Sequence, residues 1–240
     1  MKNIFLILIL IFIFLPVFAN PYNLQKYDNY NKNMFNNDTE KVLFILDFSN
    51  SMTEALEETS KLETMLDTMK KILPSLNPNA EIGLRVYGHR MGFTQMDACR
   101  ASTLLNPIQS NNAENILSSL QKTKPHGMTP ITYSLKQAVY RDFQGVMGDK
   151  HIILLTDGGE NCDESPCEYV MQLVKLRRDI HIDVIAFNIN NDEDLDQLKC
   201  TALVTSGKFY NANTSAQLAK SLGNSLNKQK RVEAKIITNP

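Results

Sequence analysis

The sequence predicts an open α/β fold, a mainly parallel sheet with helices on both faces and one antiparallel edge. Three observations predict it. Short apolar runs alternate with amphipathic helical stretches from residue 41 onward. The runs beginning near 42, 152 and 182 are almost continuously apolar, as strands buried on both faces are. Residues 81–105 break the alternation, because two strands there have no clear helix between them, and that marks an antiparallel edge pair.

The elements follow in order along 240 residues. Lys2 and the unbroken apolar run Ile4–Leu15 read as a secretory signal over 1–19, with Val17 and Ala19 at the positions a signal peptidase reads and cleavage before Asn20. The run is short for a membrane span, which needs about 20 apolar residues; an uncleaved anchor is the alternative. Residues 20–40 form an Asn/Tyr-rich linker too poor in aliphatic residues to build a core. The folded domain is expected over 41–228 and a short basic tail over 229–240.

Within the domain, Val42–Leu46 reads as a strand. Ser60 and Glu63 form a capping box, and Leu62, Leu66, Met69 and Leu73 follow at helical spacing until Pro74. Glu81–Tyr87 is a strand, and Ser102–Leu105 a short one ended by Asn106-Pro107. Ala113–Gln121 is a helix with Ile116, Leu117 and Leu120 inward. Pro130 opens another, with Ile131, Leu135, Ala138 and Val139 on one face. Ile152–Leu155 is a strand, and Ser165-Pro166-Cys167-Glu168 caps a helix reaching about Arg178. A strand within Ile180–Ile189, a helix over Asp192–Val204, a strand at Lys208–Tyr210 and a last helix capped by Thr214 and Gln217 complete the chain.

Charge excludes some partners. The chain has 25 basic and 26 acidic residues, and loss of Lys2 with the signal leaves 24 basic. That balance gives no electrostatic reason to expect nucleic acid or an anionic membrane. No later segment is long enough to span a bilayer. Cys99, Cys162, Cys167 and Cys200 contain no C-x2-C pair, which argues for disulfides in an oxidising compartment over zinc. Cys162–Cys167 with Cys99–Cys200 is the first choice of pairing, and the crossed pairings stay open.

The chemistry lies at strand ends. Asp47, Ser49 and Ser51 leave the carboxyl end of the first strand on alternate positions. Asp157 leaves the end of Ile152–Thr156, and Thr129 precedes the helix that leads into that strand. Ligands of open α/β sheets bind beyond these ends. Carboxylates and hydroxyls without His or Cys suit a hard cation, Mg2+ first, with Mn2+ or Ca2+ as substitutes. Two carboxylates neutralise a dication and leave Lewis acidity for an acidic group on a partner.

D-F-S-N-S at 47–51, G-M-T-P-I at 127–131 and T-D-G at 156–158 resemble the von Willebrand factor type A domain, in which such motifs form the metal-ion-dependent adhesion site. G-L-R-V-Y-G-H-R at 83–90, D-G-G-E-N-C-D-E-S-P-C at 157–167 and Q-L-K-C at 197–200 resemble a secreted bacterial branch. The resemblance implies a Rossmann-like, doubly wound, six-stranded sheet. It implies metal binding by Asp47, Ser49, Ser51, Thr129 and Asp157, with Ser49, Ser51 and Thr129 direct and one or both aspartates acting through water. It also implies a protein partner presenting an Asp or Glu, in the periplasm or outside the cell.

Rival readings are a metal-assisted hydrolase and a structural subunit whose metal only stabilises the fold. Against catalysis, position 49 is Ser where an aspartyl-phosphate D-x-D motif has Asp, and no G-x-S-x-G elbow occurs. His89 and His126 are candidates for the rim of the site, without a nucleophile the sequence can pair them with. Asn37 and Asn213 stand in glycosylation sequons.

Overall fold

Six strands form one sheet, running from Ser102–Gln109 at one edge through Glu81–Tyr87, Lys41–Asp47, Lys150–Thr156 and Ile180–Phe187 to Phe209–Ala212 at the other. The computed structural model describes residues 41–227. The expected signal, the linker, the tail from 229 and Asn37 lie outside them. The strands are β1 (Lys41–Asp47), β4 (Glu81–Tyr87), β5 (Ser102–Gln109), β6 (Lys150–Thr156), β7 (Ile180–Phe187) and β8 (Phe209–Ala212). All neighbours are parallel except β4 and β5, the antiparallel edge pair. A two-stranded hairpin, β2 (Ala55–Leu56) and β3 (Thr59–Ser60), follows β1. The helices are α1 (Lys61–Ile72), α2 (Gln95–Ala98), α3 (Ala113–Lys122), α4 (Ile131–Gln137), α5 (Pro166–Leu176), α6 (Asp192–Val204) and α7 (Ser215–Leu226).

Alternation along β1 builds a core on each side of the sheet. Val42, Phe44 and Leu46 pack with Met65 and Met69 of α1, Ile116 and Leu120 of α3, and Leu218 and Leu222 of α7. Leu43 and Ile45 pack with Ile131 and Leu135 of α4, Val170 and Leu173 of α5, and Leu198 and Ala202 of α6. Each fully buried Val, Leu, Ile, Phe or Met among them contributes about 1.5–3 kcal/mol. Because β1 is clamped on both faces, the residue at its end has little freedom. The chain passes from β1 to β4 on one side and returns to β6 on the other. The switch point therefore falls between β1, which ends on Asp47, and β6, which Asp157 follows.

Some sequence expectations shift. β5 does not stop at Asn106-Pro107 but runs to Gln109. Pro is tolerated on an edge strand, and the register against β4 shifts around Leu84 to accommodate the run. The buried face of α1 is rotated: Lys61, Thr64, Met65, Thr68 and Met69 are buried, while Leu62 and Leu66 are only partly so. Ser60 and Glu63 do form the reciprocal capping box. Pro130 is the cap of α4 rather than its first residue, and the helix loosens into a π-turn over Ala138–Asp142. The link between β4 and β5 contains the one-turn helix α2. Among the described residues no helix is long and apolar enough to cross a membrane.

The disulfides overturn the first-choice pairing. Cys99 joins Cys162, and Cys167 joins Cys200, with Cα–Cα separations of 5.5 and 5.4 Å. Cys99 and Cys162 both lie in loops at the carboxyl end of the sheet. Cys167 opens α5, which packs alongside the α6 that carries Cys200. Proximity in sequence made Cys162–Cys167 attractive, but each of the two is paired with a cysteine from another part of the chain.

Candidate metal centre

All five expected ligands lie at the carboxyl end of the sheet. Asp47 is the last residue of β1 and is fully buried. One of its oxygens, Oδ1, accepts the Ser49 backbone N–H at 2.7 Å, which turns the chain sharply after the strand. Oδ2 accepts Tyr87 Oη at 3.0 Å and Thr156 Oγ1 at 2.8 Å. Ser49 and Ser51 then stand with their hydroxyls 3.0 Å apart. Ser51 Oγ donates to Asp157 Oδ1 at 2.8 Å, which links the ends of β1 and β6. Ser51, Thr129 and Asp157 line a single cavity of about 510 Å3, together with Glu54, Lys61 and the Gly158–Asn161 turn.

Thr129 reaches the site through its loop. Asn50 N–H donates to Gly127 O at 3.1 Å, so the 127–129 segment runs alongside the Ser49 turn. The Thr129 N–H donates to Asn161 Oδ1, and the Thr132 N–H to Glu160 Oε2, both at 2.7 Å. The turn after Asp157 thus holds the start of α4 in place, and Cys162, next in the chain, is tied to Cys99. Gly88 closes the wall. Its φ is +69°, and a Cβ there would meet Ser49 N at 2.6 Å, so only glycine fits.

Electrostatics leave the site short of positive charge. Burial, followed by the nearby charge of Asp157, pushes the Asp47 carboxyl up to about 6. Tyr87 is driven well above the usual phenol range by burial and by Asp47, so it stays a neutral donor. Lys61, itself buried, donates to Asp157 Oδ2 at 3.0 Å and to Glu54 Oε2 at 2.7 Å. Burial opposes its charge, but the two carboxylates outweigh that and raise its pKa. Two buried carboxylates and three hydroxyls are an all-oxygen set for a hard cation, and the single lysine beside them leaves negative charge still to be neutralised. Among the described residues no cluster of three or more His, Cys, Asp and Glu side chains is placed to hold a metal.

Residues 41–224 match the family model described as the von Willebrand factor type A domain. The chain belongs to that family. Its A domain is 29% identical over 183 residues to the uncharacterized protein YwmC of Bacillus subtilis (strain 168), covering 75% of this chain and 79% of YwmC. Its fold is that of the von Willebrand factor type A structure from Catenulispora acidiphila, with TM-score 0.62 and 18% identity over 78% of this chain and 42% of that one. Proximal thread matrix protein 1 from the mussel byssus, solved with a zinc-occupied MIDAS motif, aligns with TM-score 0.59 and 20% identity over 77% of this chain. The A domain spans 44% of that mussel chain.

The sequence reading missed the supporting residues. Lys61 carried a signal, since it heads the buried stripe Lys61, Met65, Met69 at spacing i, i+4, i+8, where a lysine needs a carboxylate. Tyr87, Thr156 and Asn161 carried none, because their roles come from loops meeting across the sheet. His89 is half-buried, with Nε2 3.1 Å from Thr103 Oγ1, and His126 is exposed. Neither is bonded to the five-residue set among the described residues. At the same end of the sheet, Met91, Phe93 and Met96 are exposed on the β4–β5 loop. That loop is braced by Cys99–Cys162, by Arg90–Asp97 at 3.0 Å and by Asp97 Oδ2 accepting the Phe93 N–H.

Proposed function

We propose that this A domain is an exported, divalent-metal-dependent protein-binding module that captures a carboxylate of its partner, and that it is not an enzyme. The observation that carries the reading is the convergence of Ser49, Ser51, Thr129, Asp47 and Asp157 from three loops onto one end of the sheet. Ser49, Ser51 and Thr129 would offer hydroxyl oxygens directly. Asp47 has both oxygens engaged by the protein, so it would act by its charge and through hydrogen-bonded water. Asp157, bonded to Ser51 and Lys61, would orient the Ser51 hydroxyl. When bound, Mg2+ would supply a Lewis-acidic position for an Asp or Glu of the partner.

The exposed Met91, Phe93 and Met96 support a macromolecular partner, since apolar side chains on a braced loop at the same end of the sheet as the polar site suit an interface. The apolar N-terminal run and the two disulfides support export to the periplasm or beyond. The test is a pull-down from the source organism in Mg2+ and in EDTA, repeated with Asp47→Ala and Thr129→Ala. The expected partner is captured only by the wild-type domain with Mg2+. A partner retained under all these treatments would refute the reading.

A further inference from the structure

We propose that Lys61 is a positioning residue that sets the centre's two affinities in opposite directions, weakening its hold on the cation and strengthening the loaded centre's hold on an external acid. This rests on the metal-dependent reading above. Lys61 is the first residue of α1 and lines the same cavity as Ser51, Thr129 and Asp157. Its Nζ lies 3.0 Å from Asp157 Oδ2, and the Asp157 side chain is fully buried. The ammonium's other carboxylate, Glu54 Oε2 at 2.7 Å, is largely exposed. The Lys61–Asp157 attraction is therefore less screened by water than the Lys61–Glu54 one.

Charge arithmetic gives the consequence. Asp47, Asp157 and Lys61 together carry one negative charge when all are ionised. A dication brings that group to one positive charge, and one external carboxylate brings it to zero. Without Lys61 the dication alone neutralises the pair, and an incoming acid leaves the centre negative. The lysine thus makes the centre a poorer trap for the ion and leaves the loaded centre needing an anion. It also occupies Asp157 Oδ2, which keeps that oxygen from closing on the cation. Glu54 is the counterweight, because it shares the ammonium with Asp157.

The test uses Mn2+ alone and then acetate, followed by calorimetry and by water-proton relaxation of the Mn2+-loaded domain. Lys61→Met keeps the length of the side chain without its charge. It is expected to tighten Mn2+ binding about tenfold and to weaken acetate binding by a similar factor. Lys61→Arg retains the charge and should stay close to wild type. Glu54→Gln, at an exposed position, leaves the ammonium to Asp157 alone and should weaken Mn2+ binding, so the idea stays testable even if Lys61→Met folds poorly. Unchanged or weaker Mn2+ binding in folded Lys61→Met, or tighter binding in Glu54→Gln, would overturn the inference. Absence of Mn2+ binding in the wild type would instead overturn the metal reading beneath it.

Discussion

At the amino end of the sheet, Asp179 receives Lys150 Nζ at 2.8 Å and Arg177 Nε and Nη2 at 2.8 and 2.9 Å. At the carboxyl end, the Lys61 ammonium reaches Asp157 at 3.0 Å and Glu54 at 2.7 Å, while Asp47 accepts from the neutral Ser49 N–H, Tyr87 Oη and Thr156 Oγ1. Hydrogen bonds from Arg177 and Lys150, with their charge, hold the Asp179 carboxyl far below its usual range. Burial and Asp157 push Asp47 the other way, up to about 6. One end neutralises its carboxylate within the chain, and the other leaves charge unmatched. Matched charge at a rim contributes modestly to holding the fold. Unmatched buried charge costs stability, and its location marks where a cation would repay that cost.

Removing the imbalance should separate binding from stability. Asp47→Asn is expected to weaken Mg2+ or Mn2+ binding by at least about 100-fold, beyond the usual loss for an outer-shell residue. In the metal-free protein near pH 7 the same change should leave the melting temperature unchanged or raise it. Calorimetric titration and thermal melts read the two effects. A variant that loses stability and keeps its metal would reverse the comparison.

The pH dependence has a defined sign. The folded pKa of Asp47, about 6, lies above its ordinary value of 3.8. The metal-free fold therefore holds this proton more tightly than the unfolded chain does. Its contribution falls as pH rises from about 4 through 6 and stays low above that. A cation offsets this cost only when the carboxyl is ionised. The rise in melting temperature on adding Mg2+ should therefore be larger at about pH 7.5 than at about pH 5. Equal rises at both would contradict the charge argument. Asp179 works in the opposite sense: its depressed pKa gives stability present above the ordinary carboxylate value and lost as pH falls from there through the depressed value.

Changes elsewhere should have smaller effects. Asp179→Asn leaves the buried Lys150 with a weaker partner and should cost about 1 kcal/mol, discounted for the partial exposure of Asp179, with metal affinity unchanged. The disulfides sharpen the contrast further. Cys99→Ser with Cys162→Ser frees the turn whose Asn161 holds the Thr129 N–H, and should weaken metal binding by about two- to tenfold. Cys167→Ser with Cys200→Ser ties nothing at the centre and should leave that affinity alone. Titrations of the two double variants, side by side, decide the matter.

Legibility followed the range of the interactions. Apolar runs fixed the strands, because a doubly buried strand has no polar positions to spare, and capping residues marked the helix starts at Ser60, Ser165 and Thr214. The five candidate ligands could be named in advance because each follows or precedes an element whose direction was readable. What was hidden depended on contacts across the sheet. Lys61 and Asp157 are far apart in the chain, as are Tyr87 and Asp47 and Asn161 and Thr129. The disulfide pairing was hidden for the same reason. β5 was cut short because Pro107 reads as a terminator in a central strand but not on an edge.

The central claim, that the charge imbalance at the carboxyl end is a cation site, is tested most directly by diffraction from crystals soaked in Mn2+. The account predicts one anomalous peak among the Ser49, Ser51 and Thr129 hydroxyls, with a coordination position facing solvent. A map with no peak there, or with an ion enclosed entirely by this chain, would contradict it.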